Sequence, residues 1–266
     1  MSLPARYIAT VLERRDYGCA SELVFAVPGD FDPQPGQFVH VLCGDRGRIL
    51  RRPFSVFDRG EGTASILVRE AGAGSSWLRG RAEGERLDLL GPLGRGFYTA
   101  KQEMSLLVAG GVGIAPLHFL ARRLRRAGKP FLVAWGMESA EEFAGLPGIL
   151  AREFDLRIAC MDGGAGPARS AVDLACGMHD WLEATVYACG PRAMLVALAA
   201  RVADAQEGGL ARLQVSVEER MACGLGVCRG CAVPAARPPG SYLAACSDGP
   251  VFGGDELDWE RMAALT

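Results

Sequence analysis

The stretch Ser105-Leu-Leu-Val-Ala-Gly-Gly-Val-Gly-Ile-Ala-Pro116 joins an apolar run to a loop of closely spaced glycines and then to the start of a helix. The apolar run predicts a buried strand, and residues 114–127 have the pattern of a helix with proline in its first turn. A glycine loop at a helix N-terminus lets phosphate oxygens approach backbone amides. The loop glycines are Gly110, Gly111 and Gly113. Their G-G-x-G spacing predicts a nucleotide-binding loop without the usual G-x-G-x-x-G fingerprint.

Beyond this stretch, apolar strands and helical segments alternate along the chain. Residues 131–135, 156–160 and 185–188 have the strand pattern, and residues 192–203 have the helical pattern. The alternation predicts an open, mostly parallel α/β sheet. The last strand runs into a second loop, formed by Cys189, Gly190 and Pro191. Two such loops at the carboxyl ends of strands flank one ligand crevice, although a lone cysteine there is more often a core residue.

Short β-runs separated by Gly, Pro and Asp precede the stretch, from residue 4 to residue 99. They lie at residues 7–12, 22–27, 37–42, 54–57, 65–69 and 85–90. Short strands at regular spacing, with turn residues between them, predict a small antiparallel barrel.

Two features of the predicted barrel suit a nucleotide ligand. Arg51-Arg-Pro-Phe-Ser55 places two guanidinium groups and a hydroxyl at the start of a strand, where an arginine can neutralise a pyrophosphate. The second feature is a short segment that can open a helix whose amides hold phosphate, with Gly72, Gly74, Ser75 and Ser76. Each feature alone has an ordinary explanation, a solvent-facing strand or a serine-capped turn. Together they favour a ligand site.

Nine cysteines are present in a chain that we interpret as cytosolic, a compartment in which structural disulfides are rare. Four of them have the spacing C-x4-C-x2-C-x14-C, namely Cys223, Cys228, Cys231 and Cys246. This is the plant-type spacing for a 2Fe-2S cluster, and the small residues between them let amides approach the sulfurs. A structural zinc site and a redox disulfide are the alternatives. Zinc sites usually pair their ligands in two C-x2-C units, and this segment has one.

The composition excludes several classes of protein. Apolar residues make up 49% of the 266 residues and charged residues 23%, which is typical of a globular protein and not of a disordered chain. The net charge of −2 gives no overall field that attracts nucleic acid or an anionic membrane. No apolar run reaches the roughly 18 residues of a membrane helix, and no signal pattern is present. We therefore expect a cytoplasmic protein with neither a nucleic-acid nor a membrane partner.

The motifs, in this order, resemble those of the ferredoxin–NADP reductase superfamily. There a flavin-binding barrel with an R-x-Y/F-S motif, matched by residues 52–55, precedes a nicotinamide nucleotide domain with a C-G-P segment, matched by residues 189–191. The closer resemblance is to the electron transfer subunits of the two-subunit, NAD-dependent dihydroorotate dehydrogenases. Residues 51–55, 89–97, 219–223 and 246–252 are similar to signatures of that family, so the resemblance spans nearly the whole chain.

The resemblance and the residue patterns together predict a multi-domain β + α/β fold. An antiparallel FAD-binding β-barrel (residues 1–100) precedes an open parallel α/β NAD-binding sheet (residues 101–213). A small C-terminal 2Fe-2S module (residues 214–266) follows. The isolated histidines His40, His118 and His179 have no metal-ligand spacing and are expected in the core or on the surface.

The resemblance also implies roles for individual residues. The expected FAD contacts are Arg52, Pro53, Phe54, Ser55, Leu67, Val68, Arg69, Gly74 and Ser75. The expected NAD contacts are Gly110, Gly111, Gly113, Pro116, Cys189, Gly190 and Pro191. The expected cluster ligands are Cys223, Cys228, Cys231 and Cys246, and Ser55 and Cys189 are expected to act catalytically beside the reactive ring. Phe54 stands where many of these reductases have tyrosine, and Ser75 stands where threonine is expected.

The resemblance implies that the chain links two-electron transfer to one-electron transfer. A flavin accepts two electrons together and releases them singly, whereas a 2Fe-2S cluster takes one at a time. The chain would pass electrons between NADH and an FMN-containing dihydroorotate dehydrogenase catalytic subunit, in pyrimidine biosynthesis, as a heterotetramer with two copies of each subunit. The alternatives are a small subunit of a bifurcating transhydrogenase, sulfide dehydrogenase or hydrogenase, and a zinc-stabilised binding module.

The choice of nucleotide depends on the segment after the second strand of the predicted sheet. NADP-binding proteins place arginines there to meet the 2′-phosphate. This chain has Glu138, Glu141 and Glu142 instead, with no arginine between them. The sequence therefore predicts NADH over NADPH, with Glu138 near the ribose.

Overall fold

A closed antiparallel barrel forms the N-terminal part of the fold. The computed structural model describes residues 4–44, 49–99, 104–164, 169–179, 181–205 and 209–265. The elements of the barrel are β1 (Ala5–Tyr17), β2 (Ala20–Ala26), β3 (Phe38–Val41), β4 (Arg52–Gly60), β5 (Thr63–Arg69), α1 (Ala73–Arg79) and β6 (Arg86–Leu93). The strands close in the order β1-β2-β5-β4-β3-β6. Because strand residues alternate between faces, Val39 and Val41 fill the barrel while Phe38 packs outside it.

A six-stranded sheet follows the barrel. Its part of the chain contains β7 (Ser105–Gly110), α2 (Ile114–Arg126), β8 (Phe131–Met137), α3 (Leu146–Leu150), β9 (Leu156–Cys160), α4 (Ala171–Cys176), β10 (Thr185–Cys189), α5 (Arg192–Ala205) and β11 (Leu213–Ser216). These strands pair in parallel, in the order β11-β10-β7-β8-β9. None of the helices in the described ranges is long and apolar enough to cross a membrane.

The C-terminal part is joined to the sheet through a sixth strand. It contains β12 (Ala232–Pro234), β13 (Tyr242–Ala244), β14 (Val251–Gly253) and α6 (Trp259–Ala264). Strand β14 pairs antiparallel with β11, while β12 and β13 form a separate hairpin. The predicted order of barrel, largely parallel sheet and C-terminal module is therefore confirmed. The predicted boundary at 213/214 falls inside β11, and the boundary at 100/101 lies outside the described residues, so both stay predictions.

The two faces of the sheet bury different parts of the molecule. On one face, Leu107 and Trp135 share a core with Leu117 of α2. On the other face, Leu106 lies in a core that also contains Cys231 of the C-terminal module and Phe38 of the barrel. The cysteine module is therefore packed against both the sheet and the outer face of the barrel.

Strand β4 and helix α2 make one direct junction between the barrel and the sheet. The His118 ring stacks on Phe57 with 4.1 Å between centroids, and its Nδ1 lies 2.9 Å from the Phe57 carbonyl oxygen. Arg122, one turn further along α2, forms an ion pair with Asp58 of β4. His118 is thus a buried core residue, in agreement with the sequence analysis, and this contact fixes β4 against α2.

Candidate functional site

A cavity of about 530 Å³ lies between the barrel and the carboxyl edge of the sheet. Most of the residues predicted to contact FAD line it, namely Arg52, Pro53, Phe54, Ser55, Leu67, Arg69, Gly74 and Ser75. Pro116 of α2 and Cys189 at the end of β10 line it from the other side. Val68 is the exception, because its side chain is fully buried in the barrel core and only its backbone is available to a ligand. The structure thus brings two predicted sites to one cavity.

The two arginines of the 51–55 motif have different environments. Arg51 donates to the Asp88 carboxylate at 2.8 Å and to the His40 carbonyl at 3.3 Å. The charge of Arg51 is therefore paired with that of Asp88 within the barrel. Arg52 donates to the Leu50 carbonyl at 3.0 Å. Among the described residues Arg52 makes no ion pair, and it remains exposed at the cavity. Arg52 is therefore the cation that an anionic ligand would meet.

The hydroxyl of Ser75 stabilises the segment that leads into α1. It accepts hydrogen bonds from the amides of Ala71 (2.8 Å) and Gly72 (3.0 Å), and it donates to the Gly72 carbonyl at 2.9 Å. This is the serine-capped turn of the alternative interpretation. Ser75 also lines the cavity, and its contact with a pyrophosphate stays a prediction.

A second cavity, of about 280 Å³, lies at the carboxyl ends of β7, β8 and β10. Four residues predicted to contact NAD line it, namely Gly110, Gly111, Gly190 and Pro191. Gly113 does not line it. A Cβ atom at Gly113 would lie 2.1 Å from the carbonyl oxygen of Cys189, so this glycine allows the loop after β7 to pass the end of β10.

The four clustered cysteines lie on an irregular loop before β12 and on the segment after β13. Backbone amides point at their sulfurs: Gly226 N lies 3.1 Å from Cys246 Sγ, and Leu225 N lies 3.4 Å from Cys223 Sγ. The amide of Cys246 lies 3.4 Å from Cys231 Sγ. Cys231 and Cys246 are buried, while Cys228 is exposed. The two segments, called the cysteine loop below, therefore bring sulfurs and backbone amides together, with two of the cysteines buried.

Comparisons with known proteins identify this arrangement. Residues 218–258 match the model for the iron-sulfur cluster binding domain of dihydroorotate dehydrogenase B. The chain is 36% identical over 237 residues to the "Dihydroorotate dehydrogenase B (NAD(+)), electron transfer subunit" of Geobacillus kaustophilus, covering 84% of this chain and 86% of that protein. This chain belongs to the family of dihydroorotate dehydrogenase B electron transfer subunits. The family member from Desulforamulus reducens is also 36% identical, over 232 residues, covering 85% of this chain and 87% of that protein.

The fold comparison agrees with this family. A solved NADH-dependent reduced ferredoxin-NADP oxidoreductase, described in terms of flavin-based electron bifurcation, matches with a TM-score of 0.81 and 25% identity. The match covers 97% of this chain and 92% of that chain. The predicted family, fold class and electron transfer role are therefore confirmed.

The cysteine loop has the chemistry that the iron–sulfur domain of this family requires. The amides of Cys228 and Leu225 lower the pKa of Cys223 to about 6, which favours the thiolate that ligates iron. Burial raises the pKa of the Cys246 thiol to about 12. Within the described ranges no three His, Cys, Asp or Glu side chains form a group that would hold one metal ion. The fit to a cluster therefore rests on the cysteine spacing and on the sulfur-directed amides.

Glu218 is a site residue that the sequence analysis missed. It lines both cavities, as do Arg69 and Val112, so these three residues mark the place where the cavities meet. Glu218 lies two residues after the end of β11, at the same edge of the sheet as the two loops. The signal for Glu218 was its position just after a short apolar strand, because β11 lies next to β10 and ends at the same edge of the sheet.

Burial changes the chemistry of two groups at the junction of the cavities. The Glu218 side chain is open to solvent through the cavities, yet the surrounding protein removes much of its hydration and raises its pKa, with Arg69 opposing the shift. Complete burial strongly raises the pKa of the Cys189 thiol. Cys189 is therefore a neutral thiol that lines the cavity, with no thiolate available for covalent chemistry.

The second cavity carries charges of both signs. Glu138 and Glu142 line it, and the Glu142 carboxylate accepts a hydrogen bond from the Glu138 amide at 3.0 Å. Glu141, the third predicted acid, is exposed and does not line the cavity. Arg169 lies in the lining as well, a residue that the sequence analysis missed because it is distant in the chain. The acidic side chains of this cavity are therefore Glu138 and Glu142 after β8 and Glu218 after β11, with Arg169 as an opposing charge.

Proposed function

We propose that this chain passes electrons between NADH and the FMN-containing dihydroorotate dehydrogenase catalytic subunit. The observation that carries the proposal is the meeting of the two cavities at Arg69, Val112 and Glu218, beside a module that gathers four cysteines. When bound, FAD takes up the two electrons of NADH and a 2Fe-2S cluster takes one at a time.

The larger cavity has the features needed to hold FAD. Arg52 offers a cation without an acidic partner in the described chain, and its side chain lies beside Gly74, where a Cβ atom would be 3.5 Å from Arg52 Nε, which suits a pyrophosphate. Phe54 and Leu67 supply apolar surface for the ring. Ser55 places a hydroxyl in the same lining, and Cys189 reaches it from the sheet. We assign the flavin to this cavity with its reactive edge toward Ser55 and Cys189.

The smaller cavity suits NADH. Gly110 and Gly111 leave the backbone of the loop after β7 free of side chains, so that a dinucleotide can approach it closely. Gly190 and Pro191 form the opposite wall. Because the cavities join at Glu218, a nicotinamide placed there would meet the flavin cavity, while Glu138 at the other end would face the ribose.

The four cysteines complete the proposed path. Cys223, Cys228, Cys231 and Cys246 would ligate the cluster, with the exposed Cys228 on the side that faces the partner. We place the complex in the cytoplasm, with two copies of each subunit.

The experiment that tests this proposal combines the chain with its partner. The purified chain alone should oxidise NADH with an artificial dye and leave dihydroorotate unchanged. Addition of a dihydroorotate dehydrogenase B catalytic subunit should produce dihydroorotate-dependent reduction of NAD⁺. Oxidation of dihydroorotate by the chain alone would contradict the proposal.

A second candidate function keeps the same chemistry and changes the partner. The likeness to the bifurcating oxidoreductase over 97% of the chain favours a small flavin and iron–sulfur subunit of another NADH-linked complex. NADH–dye activity without any turnover in the presence of a dihydroorotate dehydrogenase B catalytic subunit would favour this candidate.

Replacing Glu138 with lysine should shift the preference toward NADPH. The carboxylate lines the smaller cavity and would repel a 2′-phosphate, whereas an ammonium group would attract it. We expect the ratio of kcat/KM for NADPH to that for NADH to rise about tenfold, the equivalent of about 1.4 kcal/mol. Glu141→Lys is the matched control, because it makes the same charge change outside the lining. An equal shift in both variants would show that the effect is not local.

Replacing Glu218 with glutamine should slow the reduction of the flavin by NADH and leave the FAD content unchanged. The carboxylate lies where the two cavities meet, so its loss would disturb the placement of the nicotinamide. We expect a decrease of about 100-fold, the scale that a small misplacement at a reacting centre can cause. Stopped-flow absorbance measures the rate, and an unchanged rate would remove Glu218 from the site.

A further inference from the structure

His40 lies outside both cavities and has no role in the proposed function described above. It is on β3, opposite Pro53 of β4, in the strand pair that carries the 52–55 motif. Its neighbours Val39 and Val41 fill the barrel, so the His40 ring is directed outward, toward the C-terminal module. The ring is fully buried there.

The ring of His40 meets the cysteine loop at Gly224. A Cβ atom at Gly224 would lie 2.5 Å from His40 Nδ1 and 3.0 Å from its Cε1. Gly224 also has a φ of +71°, a conformation that L side chains rarely adopt. The other side of the ring meets Phe38 edge-to-face, with 6.1 Å between centroids, and Phe38 lines the larger cavity. His40 thus lies between the proposed flavin cavity and the residue after Cys223.

The ring nitrogens of His40 are buried, and the polar group beside them is the Met221 backbone, two residues before Cys223. Burial lowers the pKa of His40 to about 4, an effect that a hydrogen bond with the Met221 backbone opposes and the charge of Arg51 reinforces. The ring is therefore neutral.

We propose that His40 is a positioning residue for the iron–sulfur cluster: from the barrel it fixes Gly224, and it turns its polar edge toward the cysteine loop. Gly224 links Cys223 to Leu225, whose amide points at the Cys223 sulfur. The ring therefore acts through the backbone that aims amides at sulfur. Hydrogen bonds to the sulfurs raise the reduction potential of a cluster, so the loss of this support should lower it. The inference rests on the proposed cluster site.

The experiment compares His40→Phe and His40→Gln in the chain loaded with FAD and cluster. Phenylalanine keeps a ring without polar atoms, and glutamine keeps an N–H donor. The midpoint potential and g values of the cluster are measured by EPR during a redox titration, and iron and FAD are counted per chain. We expect His40→Phe to shift the ratio of oxidised to reduced cluster about tenfold at a fixed potential, which corresponds to 59 mV for one electron. His40→Gln should recover part of the shift.

His118→Phe is the matched control. His118 is also a buried histidine in contact with a phenylalanine ring, but it lies at the junction of β4 and α2. Its replacement should leave the potential and g values of the cluster unchanged. A His40→Phe variant that keeps its cluster with wild-type potential and g values would overturn the inference, as would an equal shift in His118→Phe.

A measurement on the wild-type chain covers the case in which the His40 variants lose iron. In protein labelled with ¹⁵N at the histidine side chains, electron spin echo envelope modulation of the reduced cluster should show a weak imidazole nitrogen coupling. Absence of any histidine coupling would overturn the inference. A wild-type chain that binds no iron would instead count against the proposed function, which keeps the two failures distinct.

Discussion

Replacing Cys246 with serine should give a protein that still accepts electrons from NADH but no longer delivers them to its partner. Cys246 is buried, and its sulfur lies 3.1 Å from the Gly226 amide. A serine hydroxyl is a poor ligand for iron at this position, and it would leave that amide without its sulfur partner. We expect a loss of iron affinity beyond the roughly 10–100-fold that removal of a supporting group costs.

Two measurements on Cys246→Ser separate the cluster from the flavin. Iron and acid-labile sulfide per chain, with the EPR signal of the reduced cluster, should fall to background. NADH–dye activity and FAD content should stay near those of the wild type, because the two cavities are formed by other residues. Electron delivery to the catalytic subunit should be lost.

Cys176→Ser is the control for this substitution. Cys176 ends α4, is half-buried, and lies outside the cysteine loop. It should retain iron and electron delivery. A Cys246→Ser protein with full iron content would contradict the assignment of Cys246 as a ligand.

Replacing Gly113 with alanine should have the largest effect on stability. The added Cβ would lie 2.1 Å from the carbonyl oxygen of Cys189 and 2.8 Å from the Gly190 nitrogen. Both are backbone atoms at the end of the central strand pair, so neither can move without disturbing the ladder between β7 and β10. We expect a loss of at least about 3 kcal/mol in the free energy of unfolding, the upper range for an overpacked core.

Thermal unfolding of the Gly113→Ala holoprotein measures this loss, and Tm should fall by on the order of 10 °C. Gly148→Ala is the matched control, because Gly148 lies in α3 and a Cβ there would meet nothing within 4 Å. That variant should be as stable as the wild type or gain up to about 1 kcal/mol, since alanine favours a helix. Equal Tm values for Gly113→Ala and the wild type would show that the loop has room to move.

Local patterns in the sequence predicted much of the fold. The apolar run at residues 156–160 coincides with β9, and the helical pattern at 114–127 ends one residue beyond α2. The hairpin of β1 and β2, which turns between Tyr17 and Ala20, was only partly predicted because the end of β1 is exposed and polar. Strand β14 was missed for a different reason. Its three residues form a strand only because β11 is beside them in the sheet.

Those parts of the candidate site could be predicted in which one short segment of sequence supplies several functional residues. The 51–55 motif, the glycine loops and the cysteine spacing each lie in a short stretch of sequence. Glu218, Arg169 and His40 were not predicted, because their environments come from elements that are distant in the chain. Gly113 was predicted as a nucleotide contact, and the structure places it against the backbone of Cys189 instead. Its contact with NAD stays a prediction.

An anaerobic titration of the purified, loaded chain with NADH, followed by visible absorption and EPR, tests the proposed electron path most directly. We expect flavin absorption bands with a broad shoulder at longer wavelength, both bleached by NADH, and the EPR signal of a reduced 2Fe-2S cluster. Bleaching of the flavin without any reduction of a cluster that is present would contradict the proposed path. A colourless protein that contains zinc would contradict both cofactor assignments.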